Sequence, residues 1–450
     1  MKPATLWNRA LFIACMVVMG AVAGAIVWVF LFIMDFMIGL VWVRLPASLN
    51  FVFLPLVICI IGGVIIGAYQ KVFGAYPESL DTVLAKVKKE GRYDYSNFAV
   101  YSVAALLPLI FGGSVGPEAG LTGTIAGICS WIGDRMKRFG ADFKHMTEIG
   151  VAAALSSVFT APLFGVAAPL FGRTTAARKD REEPSRAQPP KSLSSEESTA
   201  HTESSSGLQA TPSQDSGLEL AKPWKMAVYL CAIAGAMTVF ILLRDFTGVG
   251  GGLPSFSEIH FSVTELVWTL PLIIAGALAG WLYHIFDGIT LRINERIGKK
   301  PILKCVIGGI LLGGIGILLP YTMFAGESQA TELHLIFSSL PIYILLLTGF
   351  IKLFITSYCI RSGWRGGHFF PAIFCGISIG LGVSALSGAD PVFCMSACAG
   401  ALLGCMTKQP LLTVLLLFLC FPIKGVLVMI IAAAIGAAVP VPKQFQQHLN

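Results

Sequence analysis

Charged side chains are scarce in this sequence. Asp, Glu, Lys and Arg make up 13% of the 450 residues, whereas soluble proteins carry roughly 25%. An ordinary soluble domain, which needs a charged surface, is therefore excluded. The 7 histidines and 11 cysteines form neither an HExxH zinc motif nor a CxxC pair, so we expect no metal, no cofactor and no enzyme. A formal net charge of +7 is too small for this length to indicate a nucleic-acid surface.

Apolar residues are abundant instead. They make up 55% of the chain, and several runs are long enough to cross a bilayer, which takes about 17 to 25 residues in a helix. These runs lie at 11–34, 51–69, 149–171, 266–282, 303–319 and 337–355. The sequence predicts an all-α, polytopic membrane protein with lipid as its surroundings. Lys2 and Arg9 precede the first run, so we expect a cytosolic N-terminus, a cytosolic C-terminus and the plasma membrane as location.

One polar segment interrupts the apolar pattern. Residues 173–223 are rich in Ser, Thr, Glu, Gln and Pro, a composition that cannot bury enough apolar surface to become ordered. Several Arg and Lys residues at its start favour the cytosolic side. We predict a disordered cytosolic linker at 173–223 between two transmembrane units, 1–172 and 224–450.

The two units share a motif. Residues 112–117 read Gly-Gly-Ser-Val-Gly-Pro and residues 366–371 read Gly-Gly-His-Phe-Phe-Pro; they are called the first and second glycine-proline turns below. About 40 residues after each turn come Thr-Ala-Pro-Leu at 160–163 and Thr-Lys-Gln-Pro-Leu at 407–411. A doubled motif at similar spacing indicates an internal structural repeat.

The chemistry of the two turns points to anions. Proline suits the first turn of a helix, because its missing N–H is not needed there. The N–H groups of such a helix start and its positive dipole end bind anions. Two such starts converging at mid-membrane would hold an anion without a full positive charge, weakly enough to conduct it. The alternative is that both motifs are only tight turns.

These residues resemble the CLC family of chloride channels and proton-coupled chloride transporters. The first turn resembles the G-x-E-G-P motif of that family, and the second resembles its G-x-F-x-P motif. Residues 73–78, Phe-Gly-Ala-Tyr-Pro-Glu, lie where the family carries G-S-G-I-P-E, and residues 160–165 resemble its N-A-P-L-x-G. The resemblance covers roughly 60–172 and 350–440.

The resemblance implies a CLC-like fold of two inverted repeats and a homodimer in which each subunit has its own pore. It also implies that backbone N–H groups of both turns bind chloride or a similar monovalent anion. The implied anion-binding residues are Gly113, Ser114, Val115, Gly116, Pro117, Gly367, His368, Phe369, Phe370 and Pro371. The implied inner site comprises Gly74, Ala75, Tyr76 and Pro77. We expect no C-terminal pair of regulatory domains, since the chain ends soon after Pro442.

The departures from the family pattern bear on mechanism. Val115 stands where the family has a glutamate that gates the pore and carries protons. A second family glutamate aligns with the Phe171–Gly172 region and is also missing. Because valine cannot ionise, the sequence predicts passive anion transport, with chloride as the anion, through a pore that lacks this gate.

Alternatives remain at the sequence level. Glu118 follows Pro117 directly, where the helix dipole favours a carboxylate; it is alternatively a displaced proton carrier of an anion/proton or fluoride exchanger. A non-conducting relic is a further alternative, because the serine hydroxyl of the family is replaced by Gly74 and its late tyrosine is missing. Tyr76 is predicted to pack rather than to supply a hydroxyl.

Two lysines lie in apolar surroundings. Lys352 and Lys424 each interrupt a hydrophobic run. The sequence predicts that both extend along their helices to place the amine at the membrane interface.

Overall fold

A computed structural model describes residues 3–46, 51–136, 146–171 and 222–441. Within these ranges the chain forms 16 α-helices and no strand. The N-terminal helices are α1 (Pro3–Gly39), α2 (Leu54–Phe73), α3 (Leu80–Glu90), α4 (Phe98–Ile110), α5 (Glu118–Met136), α6 (Met146–Phe159) and α7 (Pro162–Phe171). The C-terminal helices are α8 (Lys222–Thr247), α9 (Val263–Ile297), α10 (Pro301–Leu318), α11 (Glu327–Ile336), α12 (Ile342–Ser362), α13 (Phe369–Ser387), α14 (Pro391–Thr407), α15 (Pro410–Leu417) and α16 (Val426–Ala438). The linker predicted at 173–223 lies outside the described residues, apart from its last two.

Helix length and apolar surface confirm the polytopic membrane prediction. In the described part of the chain, 7 helices are long and apolar enough to cross a membrane. On α9, Leu266 and Leu270 are 77% and 61% exposed, an apolar face suited to lipid rather than water. Helix α13 differs, because 89% of its most apolar window is buried, against 33 to 56% in the other six. It is therefore a central helix surrounded by protein, and its N-terminus is the second glycine-proline turn.

The single span predicted at 149–171 is wrong. Helix α6 ends at Phe159, Thr160 adopts a left-handed φ of 50°, and Pro162 begins α7. A proline lacks the N–H that would continue the first helix and clashes with its preceding turn. The same break recurs later, where Lys408 has a φ of 57° and Pro410 begins α15. Both segments with the repeated Thr…Pro-Leu motif thus separate two short helices.

Small residues let α2 and α10 approach closely. A methyl group built on Gly63 would lie 2.5 Å from the Cys305 carbonyl oxygen, and one on Gly309 would lie 2.2 Å from the Cys59 carbonyl oxygen. Glycine permits such contact between membrane helices. The Cys305 carbonyl also accepts a hydrogen bond of 2.8 Å from the indole N–H of the fully buried Trp364. This contact fixes the segment that leads into the second glycine-proline turn.

Lys352 does not reach an interface, so its predicted extension to the membrane surface is wrong. The side chain is fully buried on α12. Its amine donates to the carbonyl oxygens of Tyr321 (3.0 Å), Met323 (2.8 Å) and Phe324 (2.9 Å) and lies over the Phe374 ring. Within this loop, Phe324 takes a left-handed φ of 59°. Lys352 therefore fastens the loop before α11 to the core.

Replacing Lys352 with methionine is expected to lower the free energy of unfolding by about 3 kcal/mol, since three carbonyl acceptors, one of them fully buried, lose their charged donor. The same change at Lys424, which is exposed, should alter it by less than about 0.5 kcal/mol. Thermal unfolding of both purified variants in detergent measures the difference. Equal unfolding midpoints would show that these carbonyls need no donor.

Candidate anion site

The two glycine-proline turns meet in space. The Gly116 N–H donates to the Gly367 carbonyl at 2.8 Å, and the Gly367 N–H donates to the Gly116 carbonyl at 2.8 Å, so the two residues form an antiparallel bridge. Helix α5 begins directly after Pro117, and α13 carries Pro371 in its first turn. The N-termini of α5 and α13, which are distant in sequence, are thus joined by the bridge between Gly116 and Gly367.

Glycine is required where the turns touch. A methyl group on Gly366 would lie 2.6 Å from Val115 Cγ2 of the first turn. Within the first turn, one on Gly113 would lie 2.6 Å from the Pro108 carbonyl oxygen of α4. Val115 is fully buried in this contact, and its N–H donates to the Gly113 carbonyl at 2.8 Å. In this conformation the Val115 and Gly116 N–H groups are therefore bonded to carbonyls, and their predicted role as anion donors stays a prediction.

The Glu118 carboxylate lies at the N-terminus of α13. Glu118 is the first residue of α5 and is fully buried. Its Oε1 accepts a hydrogen bond of 2.8 Å from the Phe369 N–H, 251 residues away in sequence. The N–H groups of Phe370 and of Glu118 itself also face the carboxylate. The carboxylate thus takes the position at a helix N-terminus that suits a free anion.

The same carboxylate passes between the two bridged glycines. A methyl group on Gly116 would lie 2.0 Å from Glu118 Oε2, and one on Gly367 would lie 1.8 Å from Glu118 Cδ. Oε2 is buried and has no hydrogen-bond partner among the described residues. Both glycines are therefore needed for Glu118 to take this position.

Aromatic rings close one side of the site. Phe159 at the end of α6 stacks on Phe370, with ring centroids 5.0 Å apart, and meets Phe369 edge-on at 6.0 Å. Phe164 on α7 packs against Phe159 at 5.0 Å and against Phe369 at 6.2 Å. The break between α6 and α7 places these rings. An apolar wall lowers the local dielectric and strengthens interactions between the carboxylate and the amides.

The predicted inner-site residues lie against the segment that precedes the second turn. Gly74 ends α2 with a φ of 96°, and the Ala75 carbonyl accepts a hydrogen bond of 2.9 Å from the Arg365 guanidinium. Tyr76 packs its ring on Tyr101, with centroids 4.4 Å apart, and Pro77 is buried beside it. The structure thus ties residues 74–77 to the second turn through Arg365.

The Ser114 side chain in the first turn is hydrogen-bonded to the hydroxyl group of another residue. Residues 112–116 also fit the G-x-S-x-G spacing of hydrolase nucleophiles. The Ser114 hydroxyl shares a buried hydrogen bond of 3.0 Å with Thr356 on α12, rather than with a histidine. This bond anchors the first turn to α12.

Two polar residues near the site were not predicted. Ser357 on α12 is fully buried, and its Oγ has no hydrogen-bond partner in the described ranges. Tyr283 on α9 is half-buried and lies with its ring centroid 6.1 Å from that of His368. No sequence motif indicates either residue. The sequence feature that could have identified Ser357 is the polar pair Thr356-Ser357 inside the apolar helix α12.

Sequence comparison matches this chain to one protein family and to bacterial transport proteins. The family described as voltage gated chloride channel matches residues 62–170 and 218–440. A putative ion-transport protein YfeO of Escherichia coli (strain K12 / DH10B) is 29% identical over 180 residues, covering 38% of this chain and 40% of the relative. A putative chloride channel protein ClcB-like of Ralstonia nicotianae is 30% identical over 199 residues, covering 41% of this chain and 44% of the relative. The matched region therefore spans less than half the length of each of these curated relatives.

Structural comparison covers nearly the whole chain. A CLC-type fluoride/proton antiporter superposes with a TM-score of 0.67 at 18% identity, covering 98% of this chain and 96% of the other. A slow cyanobacterial Cl⁻/H⁺ antiporter superposes with a TM-score of 0.69 at 18% identity, covering 100% and 98%. The predicted CLC-like all-α fold is confirmed.

Proposed function

Since this chain belongs to the voltage-gated chloride channel (CLC) family and is an anion-transport protein of the membrane, we propose that it exchanges a small monovalent anion for protons and that Glu118 links the two. Chloride is the anion we assign. Of the functions that the sequence leaves open, this is the anion/proton exchanger.

One observation carries this proposal: the hydrogen bond of 2.8 Å from the Phe369 N–H to Glu118 Oε1. An anion at the start of α13 needs the same donor. A carboxylate and an anion a few ångströms apart repel strongly in a buried site, so they exclude each other. Glu118 in its ionised form therefore closes the site.

Protonation reverses that competition. A neutral carboxyl loses the charge-assisted part of its bond to the Phe369 N–H, which is roughly half of the bond's strength. The side chain can then leave, and an anion can replace it. Binding of a proton and binding of an anion thereby favour each other, which is what coupled transport requires. The structural neighbours described as fluoride/proton and Cl⁻/H⁺ antiporters support this assignment.

Passive transport is the second candidate function. Val115 occupies the position of the family's gating glutamate, is fully buried and packs on Gly366. It can neither bind a proton nor compete for an anion. If Glu118 kept its place only as a helix-start carboxylate, anions would cross without protons.

We also propose, on the family resemblance, that two copies assemble as a homodimer in the plasma membrane with cytosolic termini. Cross-linking in native membranes and protease access to tagged termini test these two points. A monomer, or a terminus accessible from outside, would contradict them.

The test of coupling is a flux measurement on the reconstituted wild-type chain. With liposomes loaded with chloride and diluted into low chloride, we expect chloride efflux to drive protons into the liposomes, measured with a pH electrode and a chloride electrode together. Protein-free liposomes are the control. Chloride efflux without any pH change would favour the passive candidate, and no flux of chloride, nitrate or fluoride would favour the non-conducting relic.

A further inference from the structure

The Glu118 carboxyl needs a connection to solution if it is to exchange protons. The residue is fully buried, and the stacked rings of Phe159 and Phe370 close one side of its site. Its Oε2 has no hydrogen-bond partner among the described residues, so this oxygen is available to accept a proton. Buried acids in membrane proteins pass protons to solution through further Asp, Glu or His side chains. We therefore searched the described residues for a second acid near the site.

Glu327, the first residue of α11, is such an acid. Its side chain is half-buried, and its Oε2 accepts a hydrogen bond of 3.3 Å from the Gly252 N–H. A methyl group on Gly251 would lie 2.7 Å from the same oxygen. The glycine-rich loop at 248–252 thus encloses the Glu327 carboxylate and leaves room for it at residue 251.

The same loop contacts the aromatic wall of the anion site. A methyl group on Gly252 would lie 2.8 Å from Thr160 Cγ2. Thr160 directly follows Phe159, whose ring stacks on that of Phe370 with centroids 5.0 Å apart. Gly252 therefore contacts both the Glu327 carboxylate and the segment that carries one ring of the wall.

Helix α13 provides a second connection between the two acids. Gly326, which precedes Glu327, takes a φ of 103°, and a methyl group on it would lie 2.7 Å from Phe374 Cβ. Phe374 lies about one helical turn after Phe370, and the Phe370 N–H faces the Glu118 carboxylate. Glu118 and the start of α11 thus both border the first two turns of α13.

Helix α1 indicates the side of the membrane on which Glu327 lies. The indole N–H of Trp28 donates to the Val249 carbonyl at 3.2 Å, and Trp28 lies beyond the midpoint of α1 (Pro3–Gly39). With the N-terminus in the cytosol, as proposed above, the loop at 248–252 lies toward the outer solution. The Glu327 carboxylate, which this loop encloses, lies on the same side.

We propose that Glu327 carries protons between the outer solution and Glu118. This inference deepens the proposed function and rests on it, because Glu118 must be the proton carrier of the exchange. The O–H bond of protonated Glu327 breaks, water carries the proton past the rings, and a new O–H bond forms at Glu118 Oε2. Glu327 then takes a proton from the outer solution, and the reverse sequence releases one. Glu327 stands at neither of the positions, Val115 and the Phe171–Gly172 region, where the family has its glutamates.

The test replaces Glu327 with glutamine in the full chain. Glutamine keeps the shape and an oxygen that can accept the Gly252 N–H, but it carries no proton. A positioned proton-transfer group contributes roughly 10²- to 10⁴-fold, and water alone retains part of the transfer, so proton movement in the liposome flux assay should fall at least about tenfold. Chloride affinity should stay within about twofold of wild type. Glu327→Asp keeps a carboxyl and should restore most of the proton movement.

Two further variants separate the carboxyl from its surroundings. Glu332→Gln is the matched control, because Glu332 lies on the same helix, is exposed, and accepts a hydrogen bond of 2.9 Å from the Tyr321 hydroxyl; it should match wild type in both fluxes. Gly251→Ala keeps the acid but adds a methyl group whose nearest neighbours are the Glu327 carboxylate atoms. It should displace the carboxylate and slow proton movement while chloride still crosses.

The outcomes distinguish the relay from the exchange mechanism. Unchanged proton movement in Glu327→Gln, together with its loss in Glu118→Gln, would overturn the relay and leave the exchange mechanism in place. An equal loss of proton and chloride flux in Glu327→Gln would also overturn the relay, because it would show that the residue only supports the structure of α11. Proton movement that persists in Glu118→Gln would reject the exchange mechanism and the relay with it.

Discussion

Replacing Glu118 with glutamine is expected to abolish proton movement while chloride transport continues. Glutamine has the same shape but binds no proton near neutral pH, so the exchange step loses its carrier. It also removes the negative charge that competes for the Phe369 N–H. Because a hydrogen bond to a charged group contributes about 1.5–3 kcal/mol, chloride affinity should rise about 10- to 100-fold. Proton flux should fall to the level of protein-free liposomes.

The measurements are simultaneous proton and chloride flux, and chloride binding by calorimetry. Glu258→Gln is the control, because Glu258 has a side chain 78% exposed and lies outside the site; it should match wild type in both. A Glu118→Gln protein that still moves protons with chloride would return Glu118 to the simpler role of a carboxylate favoured by the helix dipole.

The two glycine-proline turns could be predicted from sequence because their chemistry is local. Proline at a helix start and glycine at a tight turn follow from the backbone of those residues alone. The contact between the two turns at Gly116 and Gly367 does not follow from local sequence. It could be inferred because the motif is repeated in both parts of the chain. The break at Pro162 is also predictable from local sequence, because proline favours the start of a new helix. The single span at 149–171 follows from hydropathy alone, and hydropathy does not show where one helix ends and the next begins.

The direction of a polar side chain could not be predicted in the same way. A carboxylate after Pro117 satisfies the helix dipole whether it faces water or protein, so the sequence left both roles for Glu118 open. Its burial depends on Gly367, which lies far from it in sequence, in the second glycine-proline turn. Lys352 shows the same limit: hydropathy places it in an apolar run, but its three acceptors come from a loop at 321–324.

Replacing Gly367 with alanine is expected to uncouple the protein as strongly as the change at Glu118. The added methyl group would lie 1.8 Å from Glu118 Cδ, so the carboxyl must leave its place at the start of α13. Proton movement should then be lost while chloride still crosses, and overpacking should lower the free energy of unfolding by about 1–3 kcal/mol. Flux in liposomes and thermal unfolding in detergent measure the two effects.

Two further variants separate displacement of Glu118 from damage to the turn. Gly314→Ala on α10 adds the same methyl group where no heavy atom lies within 4 Å, so coupling and unfolding should stay as in wild type. Glu118→Ala removes the atoms that the Gly367 methyl would meet. If Gly367 is glycine chiefly to admit the carboxyl, the double variant Glu118→Ala/Gly367→Ala should transport chloride as Glu118→Ala does alone, because the two changes act on one contact and are not additive. A further loss of chloride transport in the double variant would mean that the bridge to Gly116 itself cannot accept a side chain.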